Sequence, residues 1–498
     1  MTEENGQDKV EKEITGMEPE EATSVTQHTL ELAGRTLSYT VTAGTMVLKE
    51  EAEEEGKAEG EKARATVFYV AYALAGIDDP AERPLTFSFN GGPGSSSVWL
   101  HLGVLGPRRV QMADEDGSLP RPPFRLVDNE YTLLEETDLV FIDPVSTGYS
   151  RAVPGEKPTE YHDFKKDIES VGEFIRLFTT RAGRWPSPKF LIGESYGTTR
   201  AAGLAGYLQE KVGMYLNGIM LVSSILNFQT ARFNPGNDLP YILFLPTYAA
   251  TAHYHGRLPE ELQSQPLRDV LAEVEAFTLG EYALALMQGA ALPARERARI
   301  VEQLSRYTGL DPEYIERADL RLEIFRFTKQ LLRDQGVTVG RLDSRFTGAD
   351  RDSVGERFEF DPSYAVIQGP YTATFNDYVR RELEFKSDLP YQIINERVLP
   401  DWKYEPFQNQ YVDVADTLRK AMNINPYLRI FVANGYYDLA TPFKATEYTF
   451  NHLGLPTDRQ ENIEMAYYEA GHMMYAHTPS LARLHSDLAQ FVEGEAED

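Results

Sequence analysis

The chain has 498 residues, enough to bury a large core in one big domain or a few smaller ones. Its 49 basic residues stand against 77 acidic ones, and the formal net charge of −28 disfavours nucleic acid and anionic membrane surfaces; its first reading is simple solubility, and its second a field that repels acidic peptides and favours neutral or basic substrates. With no cysteine, a disulfide framework and a cysteine-ligated metal site are both excluded.

Residues 1–24 are polar and acidic and are expected to form a disordered tail. They have neither the basic start nor the apolar run of a signal peptide, and no later segment approaches the roughly 18 apolar residues of a membrane span, so a cytoplasmic location is expected. Residues 30–48 alternate like a strand, and Ala65-Thr66-Val67-Phe68-Tyr69-Val70 reads as its returning partner. The Glu-rich residues 50–62 between them read as a solvated hairpin tip. Next, Leu85-Thr86-Phe87-Ser88-Phe89 predicts a strand that runs into Asn90-Gly91-Gly92-Pro93-Gly94-Ser95-Ser96-Ser97. A glycine cluster there lets backbone N–H groups converge on one point, the geometry that holds an oxyanion. The competing phosphate-loop reading lacks the following Lys and any G-x-G-x-x-G. Asp138-Leu139-Val140-Phe141-Ile142-Asp143 predicts a buried strand. Phe164, Ile168, Val171, Ile175 and Phe178 place an amphipathic helix over residues 163–180.

The most specific signal follows. Phe190-Leu191-Ile192 leads into Gly193-Glu194-Ser195-Tyr196-Gly197, and a small-residue helical pattern comes after it. G-x-S-x-G between strand and helix is a nucleophile elbow, which presents a serine hydroxyl above the sheet. An elbow of this kind demands an acid and then a histidine further along the chain. Residues 218–223 form the next predicted strand. Residues 228–375 are helix-rich, with runs over 267–286 and 295–307, and are expected to form an inserted lid whose aromatics (Tyr241, Phe244, Tyr248, Tyr254) serve its core or line side-chain pockets. Leu428-Arg429-Ile430-Phe431-Val432-Ala433 predicts a strand with Asp438 just beyond its end, and residues 463–468 predict the last strand, followed by Gly471 and His472. His253 and His255 form an H-x-H pair with no third metal ligand nearby. Ser195, Asp438 and His472 are therefore the candidate triad. The N–H groups of Gly92 and Tyr196 are the candidate oxyanion hole. The fold expected is an α/β-hydrolase, with residues 25–227 and 376–498 as its two core parts and no cofactor required.

These motifs together resemble the serine carboxypeptidases. The likeness is carried by residues 90–96, the elbow, Gly435 to Asp438 with Pro442, Gly471-His472-Met473 and Phe141-Ile142-Asp143-Pro144-Val145-Ser146-Thr147-Gly148-Tyr149-Ser150, with a weaker match at Phe375-Asn376-Asp377-Tyr378-Val379-Arg380. The resemblance implies release of C-terminal amino acids from peptides with a free C-terminus. It implies a substrate-carboxylate clamp made of Asn90, Gly91 and Glu194, and homodimers are common in the family. Glu194 has to be protonated there, since two carboxylates in contact repel. The chain departs from the family pattern at Ser88, where Trp is usual, at Ser95, often Cys, and at Tyr475, near a usual proline. Asp143-Pro144-Val145-Ser146 lacks the usual first glycine. These departures point to a divergent branch, expected to be bacterial. Other readings kept open are an esterase or acyltransferase on the same triad, a lipase, and a binding or protective protein whose fold outlived its chemistry.

Overall fold

The computed structural model describes residues 19–54 and 56–494. The main sheet has ten strands, of which the two-residue Arg151–Ala152 pairs beside β3 off the main path; the nine along that path are β1 (Thr23–Leu32), β2 (Arg35–Glu54), β3 (Lys57–Leu74), β4 (Leu85–Phe89), β5 (Asp138–Ile142), β6 (Lys189–Glu194), β7 (Gly218–Val222), β8 (Arg429–Gly435) and β9 (Ile463–Tyr468). They lie in the order β1-β2-β3-β5-β4-β6-β7-β8-β9. From β5 to β9 every neighbour is parallel, while β1, β2 and β3 add on antiparallel.

Alternation decides which face each strand residue serves. In β5, Leu139 and Phe141 join one core, and Val140 and Ile142 join the other. In β6, Phe190 and Ile192 oppose Leu191 in the same way. Helix α1 (Phe164–Arg181) covers the second face with Phe164, Ile168, Val171, Phe174 and Ile175. Its N-cap, Asp163, accepts from the Lys165 N–H at 2.9 Å and the Lys166 N–H at 3.2 Å, a contribution of about 1 kcal/mol. Helix α2 (Tyr196–Tyr207) packs beside it through Ala201, Ala202, Leu204 and Ala205. Between β7 and β8 lies a helical insertion with its own core, built on α3 (Leu239–Tyr254). Two long helices, α4 (Pro362–Arg381) and α5 (Thr478–Glu493), cover the first face.

Three expected boundaries move. Strand β1 starts at Thr23, inside the segment expected as a tail, because Thr23 pairs with Gly44; residues 1–18 of that tail lie outside the described residues. The Glu-rich stretch expected as a hairpin tip is mostly strand, since β2 and β3 stay paired out to Glu54 and Lys57 with register shifts on the way. Polar composition misled here, because a two-stranded ribbon beyond the core has no apolar face to announce it. Finally, the lid boundary placed at 375 falls inside α4, which runs on to Arg381.

Candidate active site

Every candidate residue emerges where a parallel strand ends. Ser195 follows β6 at φ 59° and ψ −129°, a conformation costing about 1–3 kcal/mol that persists only if its surroundings enforce it. They do so through backbone crowding. A Cβ on Gly193 would sit 2.2 Å from the Gly197 carbonyl oxygen, and one on Gly197 would sit 2.9 Å from the Phe89 oxygen. The Ser195 N–H donates to Val222 O at 3.0 Å, tying the elbow to β7.

Asp438 follows β8 and is fully buried. Its Oδ1 accepts from the N–H groups of Ala440 (2.7 Å) and Thr441 (3.0 Å), and its Oδ2 accepts from Thr441 Oγ1 at 2.7 Å. The same Oδ2 lies 2.8 Å from His472 Nδ1. Burial alone would pull the His472 pKa down; the charge and hydrogen bond of Asp438, with the nearby Glu194 charge, outweigh it and raise the pKa above its usual value. Ser223, itself at φ 52°, donates from Oγ to His472 O at 2.6 Å and so holds the base from the end of β7.

The glycine loop after β4 meets the elbow backbone to backbone. A Cβ on Gly91 would lie 2.4 Å from the Tyr196 nitrogen, so only glycine allows this approach. The N–H groups of Gly91, Gly92 and Tyr196 donate to nothing else among the described residues, which leaves them for a ligand. Arg200 fixes the loop from α2: its guanidinium donates to Asn90 O at 2.6 Å and to the buried Asp167 at 2.8 Å. Asn90 is buried, with Oδ1 accepting from the Leu100 N–H at 3.2 Å and Nδ2 left without an acceptor. Burial pushes the Glu194 carboxyl up to about 7, although His472 and a hydrogen bond from Tyr475 Oη pull the other way. Asn90, Gly91, Gly92, Glu194, Ser195 and His472 line one cavity of about 730 Å³ together with residues of the insertion, while Asp438 and Tyr196 lie behind its wall.

This arrangement of motifs has relatives. The model of the serine carboxypeptidase family matches residues 56–483. The chain belongs to the serine carboxypeptidase family. Serine carboxypeptidase-like 5 of Arabidopsis thaliana is 30% identical over 228 residues, 45% of this chain and 46% of that protein. Serine carboxypeptidase-like 2 of the same plant is 30% identical over 141 residues, 28% of this chain and 30% of that protein. The match thus spans less than half the length of these curated relatives. Among solved structures, a prohormone-processing carboxypeptidase from Saccharomyces cerevisiae aligns with a TM-score of 0.55 and 17% identity over 91% of both chains, a likeness of fold.

Within this serine carboxypeptidase fold, the departures from the family pattern have definite places. Ser88 is buried in β4 with its Oγ unpartnered, and it does not reach the cavity. The cavity's indole comes from Trp99 instead, whose Nε1 donates to Ser95 Oγ at 2.8 Å. Tyr475, where a proline is usual nearby, donates its hydroxyl to Glu194 Oε2. Neither Trp99 nor Tyr475 was foreseen as functional; the one local signal was the four-residue spacing of Ser95 and Trp99 at a helix start. Of the aromatics expected as core or lining, Phe244 lines the cavity, Tyr248 stacks on Phe327 at 4.0 Å inside the insertion core, and Tyr254 is exposed. His253 and His255 each engage a backbone carbonyl, Gln265 O at 3.1 Å and Ser344 O at 2.7 Å. Among the described residues no group of three or more His, Asp or Glu side chains is placed to hold a metal ion, and no helix is long and apolar enough to cross a membrane.

The largest surprise is a strap over residues 341–345, at the end of the insertion. It runs between the acid loop and the base loop. Arg341 O accepts from the Leu439 N–H (3.1 Å), Leu342 O from the His472 N–H (2.6 Å), and the Ser344 N–H donates to Tyr437 O (3.0 Å). Asp343 Oδ2 takes the Gly471 N–H at 3.0 Å and is ion-paired with Arg345 at 2.7 Å. Helix α3 anchors the far side through His255 and through Thr251 Oγ1, 2.6 Å from Ser344 Oγ. Asp438 and His472 are thereby fixed relative to each other by a third element that carries neither.

Proposed function

We propose that this chain is a serine-type carboxypeptidase that removes the C-terminal residue of peptides through an acyl-enzyme on Ser195. The observation that carries this reading is the pair Asn90 and Glu194. One is a buried amide with an unspent N–H, the other a buried carboxyl whose pKa of about 7 keeps its proton at mildly acidic pH. Side by side with the free Gly91 N–H, they offer hydrogen-bond donors to a substrate carboxylate without an opposing charge. A divergent member of the family is inferred; the plant relatives lend no support to the bacterial origin expected from the departures.

In the first step Ser195 attacks the carbonyl of the last peptide bond while His472 takes its proton. Asp438 holds the imidazole in the tautomer with Nδ1 protonated and stabilises the imidazolium. The Gly92 and Tyr196 N–H groups receive the oxyanion. His472 then protonates the leaving amine, the amino acid departs, and water attacks the ester with His472 again as base.

Glu194 and His472 titrate as a coupled pair. The competent form has the proton on Glu194 and a neutral His472. Glu194 has a raised pKa, so its donor is present below about pH 7 and is lost as pH rises through that value. Free-acid substrates are therefore expected to be cleaved best at mildly acidic pH. Comparing an N-blocked dipeptide with its C-terminal amide tests this: selective cleavage of the free acid supports the clamp, and equal cleavage moves the triad to a general esterase or acyltransferase.

A further inference from the structure

Arg341 has an unusual position. Its backbone is pinned, with the N–H donating to Asp361 Oδ1 at 3.1 Å and the carbonyl accepting from Leu439. Its side chain lines the catalytic cavity, half-buried, and makes no hydrogen bond or ion pair among the described residues. The carboxylates of the same wall are committed elsewhere. Glu323 Oε2 accepts the N–H groups of Phe325 (2.9 Å) and Arg326 (3.2 Å), and Asp361 Oδ1 caps the start of α4 while bonding Ser363. Glu396 lines the cavity as an exposed group with no contact to Arg341. Two more guanidinium groups, those of Arg232 and Arg357, lie on aromatic rings, 5.5 Å from the Phe228 centroid and 4.6 Å from that of Phe325, again with no carboxylate partner. Arg341 shares this cavity with His472, whose pKa its positive charge lowers.

The half-buried Arg341 guanidinium thus keeps its five donors open to the cavity, free to meet a ligand group that accepts two of them at once. In a chain with 77 acidic residues, the insertion leaves this cation unpaired at the catalytic cavity. We propose that Arg341 is a specificity-determining residue that binds the carboxylate side chain of a Glu or Asp flanking the scissile bond, so that the preferred peptides carry an acidic residue there. The inference rests on the carboxypeptidase reading, in which Asn90, Gly91 and Glu194 already serve the terminal carboxylate and leave Arg341 for a side chain. It also reverses the expectation from net charge. The overall negative field is screened beyond roughly 8 Å at physiological salt, whereas a bidentate guanidinium–carboxylate contact inside a cavity is short-range and strong.

The test is the ratio of kcat/KM for N-blocked dipeptides differing only as Glu against Gln, placed in turn at the last and the penultimate position, at pH 6. The expected ratio at one of the two positions is about tenfold or more, the effect of one good charge contact. Arg341→Gln should bring that ratio to near one, Arg341→Lys should keep part of it, and Arg341→Glu should invert it toward a Lys-containing substrate. A wild-type ratio near one at both positions overturns the proposal, as does an Arg341→Gln variant that loses Glu and Gln substrates equally, since Arg341 would then serve the terminal carboxylate or only the strap. Failure of the carboxypeptidase reading looks different: wild-type protein would cleave neither dipeptide, or would cleave C-terminal amides as fast as free acids.

Discussion

The two walls of the catalytic cavity are built by different means. On the sheet side, the glycine loop, the elbow, Asp438 and His472 each sit within a few residues of a parallel strand's end, and strong local constraints hold them. Glycines admit no Cβ, Ser195 adopts φ 59°, and Asp438 is wrapped by the amides of its own turn. On the other side, the insertion contributes a strap that acts mainly through backbone atoms. The sheet thus positions the candidate catalytic side chains, while a segment that carries none of them bridges the Asp438 and His472 loops.

That contrast can be broken by substitutions of very unequal expected effect. Ser195→Ala should lower kcat by roughly 10⁴-fold or more, with the circular dichroism spectrum and melting temperature unchanged. Retained activity would mean that another nucleophile operates. Asp343→Ala probes the opposite wall. It leaves Arg345 buried without its partner and the Gly471 N–H without its acceptor, and is expected to destabilise by about 3 kcal/mol. Because the base loop loosens, kcat at a temperature where the variant is folded should also fall, by about tenfold. A loss of stability with kcat intact would reduce the strap to scaffolding. Tyr475→Phe should have a smaller effect that is confined to pH. The Tyr475 hydroxyl favours the ionised form of Glu194, so its removal raises the Glu194 pKa further, and the alkaline fall in kcat/KM on free-acid peptides should move to higher pH. A move to lower pH would contradict the assigned hydrogen bond. Asp163→Ala, at the N-cap of α1, should cost about 1 kcal/mol in urea unfolding and have the smallest effect of the four on kcat.

The same contrast explains what could be read from the sequence. The triad, the glycine loop and the strands beneath them announce themselves through short patterns, since each requirement is met by neighbours in the chain. Short apolar runs place β4 to β9, which are mostly buried on both faces, and the spacing of Phe164, Ile168, Val171 and Ile175 places α1. The strap is invisible because its contacts to Leu439, Gly471 and His472 join residues about a hundred or more positions apart and use carbonyl and amide groups that every residue has. Trp99 and Tyr475 escape notice for a related reason. Their roles depend on the side chain each one meets, Ser95 four residues back in one case and Glu194, 281 positions away, in the other. Net charge is coarse in a different way: a total of −28 describes the surface field and says nothing of the three guanidinium groups gathered on the insertion's wall.

The central claim is that Asn90 and a protonated Glu194 select a free C-terminus for the Ser195 triad. The most direct measurement is kcat/KM for an N-blocked dipeptide and its C-terminal amide from pH 5 to 8, with wild-type protein and Glu194→Gln. Expected is cleavage of the free acid far above the amide, falling through about pH 7 in the wild type, and no such alkaline fall in Glu194→Gln, whose amide cannot ionise and whose profile keeps only the rise that accompanies deprotonation of His472. Equal cleavage of acid and amide, or the same alkaline fall in Glu194→Gln, would contradict it.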